Sequence, residues 1–352
     1  PIEARWNLNL LYCNPDSGAI TAYAMQASTA ELDAFLQQCC TRLATRLADL
    51  HTHRAHRDAQ LAQLQFPFPR FRHAQRALSA QVYRSVRDGA ALLFEAPTGS
   101  GKTVGALFPS LIAMGHGSVD RLVFLSSRTT GQTSAEAGMQ VLRTDALIRR
   151  VTVTAKAKIC FMPEPVCDPA ICRFAKGFYE RSDAAVTQLL AAGTMTRAAI
   201  EAVARTHEVC PFELSLEAAV WADVVICDYN YVFDPVVRLK RLAGVTGDRI
   251  ALLIDEAHQL ADRVRDALST VFSRSVLRRA RPALSAGLPA RRAAALDRRL
   301  TELRRDLVRE RRVDRDAFEC RIERPEPLLR AAEALLDALL TAVHHEQFDP
   351  AV

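Results

Sequence analysis

Ala96-Pro97-Thr98-Gly99-Ser100-Gly101-Lys102-Thr103 is the stretch on which the fold turns. Glycines at 99 and 101 let successive backbone N–H groups curl around a phosphate with no Cβ in the way, Lys102 meets the terminal phosphates, and the Thr103 hydroxyl ligates magnesium. Thr98 and Ser100 fill out the loop. The general pattern has a glycine where Ala96 stands. Ahead of the loop, the apolar run Ala91 to Phe94 predicts a strand, and the residues after Lys102 predict a helix. Strand, loop and helix in this order are expected of a nucleotide-binding α/β domain.

Downstream, Asp255-Glu256-Ala257-His258 follows the apolar run Ala251 to Ile254, which places Asp255 at the carboxyl end of a buried strand, where open parallel sheets bind ligands. Asp255 is expected to hold magnesium, directly or through water, and Glu256 to polarise the attacking water. His258 then links the nucleotide to a polymer track. Between loop and box, short apolar runs at Leu122 to Leu125, Val151 to Thr154 and Val224 to Cys227 alternate with helical stretches, so the sheet is predicted to be largely parallel.

The segment from about Ile159 to Pro211 interrupts that alternation. It shows no clear strand and reads as an insertion. It carries Cys160, Cys167, Cys172 and Cys210, with 6, 4 and 37 residues between them, unlike the paired two-residue gaps of zinc ribbons. Four thiolates suit a four-iron cluster, which needs its ligands close in space rather than in sequence. The competing reading is a set of buried apolar cysteines. Cys39 and Cys227 fit that description better.

Before the loop, the alternation around Asn14-Pro15-Asp16-Ser17-Gly18 predicts a β-hairpin over residues 1 to 26. Leu32, Phe35, Leu36, Cys39, Leu43, Leu47 and Leu50 then recur at helical spacing, with Ser28 or Thr29 as the cap. Phe66-Pro67-Phe68-Pro69 ends that helix, and a second runs from Ala74 to about Val86. Beyond His258 the chain is helical and arginine-rich, with Leu296, Leu300, Leu303 and Leu307 on one face.

The 352 residues are 49% apolar and 24% charged, enough for two or three domains with real cores. No apolar run approaches the roughly 20 residues that cross a bilayer. The net charge of +6 is concentrated late, with 19 arginines against 11 acidic residues between Asp262 and Arg330. That segment is either a solvated helical face or a lane for a phosphate backbone. Nine cysteines, an odd number, in a chain with a phosphate loop point to a reducing compartment. Pro1 in place of Met suggests a fragment, and no secretory leader is visible.

Taken together, Lys158-Ile159-Cys160, Cys210-Pro211-Phe212-Glu213-Leu214 and Asp228-Tyr229-Asn230-Tyr231-Val232-Phe233-Asp234-Pro235 resemble superfamily 2 DNA helicases of the XPD/DinG type. Ser127-Arg128-Thr129 is similar to that family's motif on the DNA path, and Gln75, 27 residues before Lys102, to its adenine-reading glutamine. The resemblance covers about Phe68 to Leu268. It implies a RecA-like motor domain at 66–158 and 211–261, an iron-sulfur insertion at 159–210 and a partial helical arch at 262–352. Residues 1–65 faintly resemble the lead-in of bacterial homologues with a preceding nuclease domain.

What the resemblance implies is an ATP-dependent 5′ to 3′ helicase of DNA repair or replication-associated processing, with a 4Fe-4S cluster, Mg2+ and ATP. Its partners are single-stranded or forked DNA and a second motor domain, and its setting is the bacterial cytoplasm and nucleoid. Two other readings stand beside it: a non-enzymatic nucleic-acid-binding or redox-sensing module, and part of a nuclease-helicase fusion.

Overall fold

The structure, a computed structural model, describes residues 5–13, 20–97, 99–144, 148–164, 167–235, 237–243, 247–269, 290–310, 326 and 329–335. Contacts group the chain into two units, Pro1–Cys40 with Thr270–Val352, and Thr41–Ser269.

In the first unit, β1 (Arg5–Cys13) and β2 (Ile20–Ser28) form the expected antiparallel hairpin, paired from Arg5 with Ser28 to Cys13 with Ile20. The long helix α1 (Thr29–Leu61) starts at a capping box. The Ser28 hydroxyl accepts from the Glu31 N–H at 3.2 Å, and the Glu31 carboxylate accepts from the Ser28 N–H at 2.7 Å. Phe35 and Leu36 of its apolar stripe are exposed, and Cys39 is only partly buried. Far along the chain, the helix Ala290–Glu310 buries Leu296, Leu300 and Leu303, as its spacing predicts; the side chain of Leu307 lies outside the described residues.

The second unit is the α/β domain. Its sheet has the order β5-β4-β6-β3-β7, built from β3 (Arg121–Leu125), β4 (Arg150–Thr152), β5 (Thr194–Met195), β6 (Val224–Cys227) and β7 (Ile250–Ile254), and every described pairing is parallel. Helices α2 (Gln75–Asp88), α3 (Lys102–Gly115) and α4 (Thr129–Val141) precede the short α5 (Lys156–Ile159). Then come α6 (Phe178–Ala192), α7 (Arg197–Thr206), α8 (Pro211–Trp221), α9 (Asn230–Phe233) and α10 (Leu260–Ala267), so the helix at 290–310 is α11. β3, β4 and β6 are buried along their whole length, as flanked strands of a parallel sheet should be.

Three expectations need correction. Ala91 to Phe94 is not a strand: among the described residues it makes no ladder pairing, and Leu93 is exposed. Apolar content alone gives no strand when no neighbour supplies the inter-strand bonds. Among the described residues β7 is an edge strand rather than a buried one, pairing with β3 alone and leaving Leu252 exposed. The segment after Ile159 does contain a strand. The two-residue β5 lies beside β4, and its brevity hides it from any period-two pattern.

A buried ionic network ties the second half of α1 to the amino-terminal ends of the strands. Asp223, just ahead of β6, accepts from the Arg57 guanidinium, lies 2.7 Å from His53 Nε2 and accepts from the Arg149 N–H at 2.8 Å. Arg54 grips Asp248 through two bonds of 2.9 and 3.0 Å. Burial pushes the Asp223 carboxyl up, but His53 and Arg57 outweigh it and hold it below the usual carboxylate range.

Candidate functional site

The phosphate loop meets α3 at its amino terminus, where unpaired backbone N–H groups and the helix dipole favour an anion. Gly99 and Gly101 have φ of +80° and +84°, a region closed to most side chains. Gly101 is doubly required, because a Cβ there would lie 2.5 Å from Gln75 Nε2. Thr98 lies outside the described residues.

Beneath the loop, Gln75 is buried with both ends of its amide engaged. Nε2 donates to the Gly101 carbonyl at 3.1 Å, and Oε1 accepts from the Arg72 N–H at 3.0 Å. The Arg72 guanidinium donates to the Gly99 carbonyl. Arg72 went unnoticed in sequence, although it stands one turn before Gln75. Ser100 has a buried hydroxyl with no hydrogen-bond partner among the described residues.

Strand β7 delivers Asp255 and Glu256 to the same place. Lys102 Nζ lies 3.4 Å from Glu256 Oε1, and His258 Nδ1 lies 3.5 Å from Glu256 Oε2. Glu256 itself has φ of +54°, a strained position for a side-chain-bearing residue. Burial first and the Glu256 charge second raise the Asp255 carboxyl above its usual range. Adjacent carboxylates supply the kind of oxygen donors a hard cation such as Mg2+ takes. Behind them, the buried Tyr229 donates to the Asp255 carbonyl, and its phenol is pushed up to about 12, mainly by burial. Tyr231 is buried too, so both tyrosines serve packing.

Ser127, Arg128 and Thr129 sit where β3 gives way to α4. Arg128 and Thr129 are exposed, whereas Ser127 is buried and donates to Gln259 Oε1 at 2.7 Å. Arg263 donates to the Ser127 carbonyl at 3.3 Å.

The four cysteines line one cavity of about 230 Å³ with Lys156, Phe161, Phe174 and Phe212 among its walls. Cys172 is buried, Cys160 and Cys210 are half-buried and Cys167 is exposed. Cys160 Sγ accepts from the Met162 N–H at 3.4 Å, and Cys210 stands at the start of α8 with Pro211 in the first turn. Burial pushes the Cys210 thiol up, against the N–H groups of Glu213 and Phe212. A hydrogen bond to Cys167 raises the Lys156 ammonium. An all-sulfur donor set in an aromatic-walled cavity, with N–H groups aimed at sulfur, fits an iron-sulfur cluster. Among the described residues no three His, Cys, Asp or Glu side chains are grouped to hold a single metal ion. Cys227 is core, as expected.

Residues 122–277 match the DEAD_2 family. The XPD/RAD3 helicase subunit of general transcription and DNA repair factor IIH from Saccharomyces cerevisiae is 22% identical over 278 residues, 68% of this chain and 34% of that protein. Over these stretches the chain is similar to XPD-type helicases. A Fanconi anemia group J protein homolog from Gallus gallus is 37% identical over 75 residues, 21% of this chain and 6% of that protein. A solved structure titled XPD helicase shares the fold, with a TM-score of 0.50 and 18% identity over 80% of this chain and 49% of that one. The chain spans about a third of the length of the yeast relative. No described helix is long and apolar enough to cross a membrane. Relatives from yeast and chicken lend no support to a bacterial nucleoid setting.

Proposed function

We propose that this chain is the first motor domain of an ATP-dependent DNA helicase. Lys102, Gly99, Ser100, Gly101 and Thr98 hold the phosphates, Thr103 and Asp255 hold Mg2+, and Glu256 orients the attacking water with His258 beside it. The supporting observation is the 3.4 Å approach of Lys102 to Glu256, which brings two motifs 154 residues apart into one site. Bound magnesium supplies charge neutralisation at the phosphates. The protein's own part is to aim Lys102 and the loop N–H groups at the terminal phosphate and to hold Glu256 for the water.

Completion of the site by a second motor domain belongs to this proposal, as does 5′ to 3′ travel on single-stranded or forked DNA in repair or replication-associated processing. So does a 4Fe-4S cluster on Cys160, Cys167, Cys172 and Cys210, whose shared cavity supports it. The corresponding division is a motor at 66–158 and 211–261, a cluster insertion at 159–210 and a partial arch from 262. The test is equilibrium binding of a fluorescent ATP analogue to the 352-residue chain with Mg2+ and with EDTA. Magnesium-dependent binding lost in Lys102→Ala is the expected result, and affinity that ignores both would sink the reading.

A further inference from the structure

Helix α4 touches both expected magnesium ligands from a single face. Ser134 Oγ lies 3.2 Å from Thr103 Oγ1. One turn earlier, a Cβ on Gly131 would come within 3.0 Å of Asp255 Oδ2 and would collide with the Ser126 hydroxyl. One turn later, a Cβ on Gly138 would lie 3.5 Å from the Thr103 methyl. Positions 131, 134 and 138 share one helical face, and each is small where it meets the site. The same helix begins at the exposed Arg128, with Ser127 ahead of it bonded to Gln259 and Arg263 beyond the acidic box.

We infer that α4 is the element through which polymer contact at Arg128 adjusts the magnesium site, with Ser134 as the positioning residue for the Thr103 hydroxyl. The inference rests on the reading of Thr103 and Asp255 as magnesium ligands. A hydroxyl has one donor and two lone pairs, so Thr103 can accept from Ser134 and still offer oxygen to a cation. Removing the Ser134 hydroxyl frees the Thr103 rotamer without touching the phosphate contacts of the loop. A helix displaced at Arg128 carries Gly131 and Ser134 with it. Close packing against Asp255 turns that displacement into a changed ligand geometry.

The experiment measures the affinity of the full chain for a fluorescent ATP analogue in EDTA and in Mg2+, each with and without a saturating thymidine oligonucleotide. In Ser134→Ala, affinity in EDTA stays at the wild-type value. The gain conferred by Mg2+ falls by about three- to tenfold, the worth of one hydrogen bond, and the oligonucleotide's effect on that gain disappears. Ser134→Thr restores both. An unchanged magnesium gain in Ser134→Ala, a failed rescue by Ser134→Thr, or an oligonucleotide without effect in the wild type overturns the inference. Thr103→Ala separates the two claims. If it keeps the magnesium gain, the loop reading itself is wrong and the inference falls with it; if it loses the gain while Ser134→Ala keeps it, the inference alone fails.

Discussion

The Gln75 amide donates to the Gly101 carbonyl at 3.1 Å, so the residue expected to read adenine is also bonded to the phosphate loop. Its carbonyl is engaged with the Arg72 N–H as well. The two bonds make Gln75 a brace for the turn whose left-handed glycine it packs against.

Gln75→Ala removes that brace and leaves the Gly101 carbonyl with the Gly105 N–H as its remaining donor. ATP and GTP analogues should both bind about tenfold more weakly, by similar factors, in competition titrations. A loss confined to ATP would return Gln75 to the role of adenine reader.

Glu256→Gln removes the charge that faces Lys102 while keeping the side chain's size. Because both partners are partly exposed, the pair is worth little, and nucleotide affinity should rise by no more than about fivefold. Lys102→Ala should abolish binding. In a longer polypeptide that supplies the second motor domain, Glu256→Gln should lower hydrolysis by about a hundredfold or more, since general-base assistance is lost.

The phosphate loop, the acidic box and the alternation of strands with helices were legible because each has a local signature. Gly101 is a glycine for reasons of φ, and Asp255 directly follows an apolar run. What stayed hidden depends on three-dimensional neighbours. Nothing in Ser134 or Arg72 announces a contact with Thr103 or Gly99, and β5 is two residues long. Ala91 to Phe94 misled for the opposite reason: its composition suits a strand, but strandhood is a property of a pair. The buried Arg57 was invisible because arginine in a helix is ordinarily solvated.

Asp223 makes stability sensitive to acid. Its carboxyl titrates below the ordinary value of 3.8 in the folded chain, so its contribution is complete above that value and is lost as pH falls through the folded one. Urea midpoints should therefore drop steeply below about pH 4. Asp223→Asn takes the buried counter-charge from Arg57, which keeps the partly exposed Asp58 at 2.7 Å, and should cost about 3 kcal/mol at neutral pH. The same variant should lose much of the acid sensitivity, and a midpoint unchanged at pH 7 would refute the clamp.

The cysteine cavity predicts iron. Chain purified without oxygen should be brown and carry about four irons, and Cys210→Ser should release them while loosening the segment from 159 to 210 toward proteases. Stoichiometric zinc with no iron is the outcome that excludes the cluster. Lys156, hydrogen-bonded to Cys167, places a positive charge beside the sulfurs, and Lys156→Ala should shift the reduction potential of the loaded protein negative.

Arg128 is exposed at the start of α4, free of the phosphate loop and one residue beyond the buried Ser127. If it meets a phosphate of single-stranded DNA, neutralising that charge releases a counterion, and affinity falls linearly on a log–log plot against salt. Arg128→Ala should weaken binding of a thymidine oligonucleotide and flatten that slope by about 0.7, the share of one contact on a single strand. Affinity for the ATP analogue in the absence of DNA should stay where it is, since the Arg128 side chain is exposed at the start of α4. A wild-type slope near zero would exclude phosphate recognition here and leave the late arginines as a solvated face. An unchanged slope in Arg128→Ala, with a steep wild-type one, would instead move the contact off α4 and onto other basic residues.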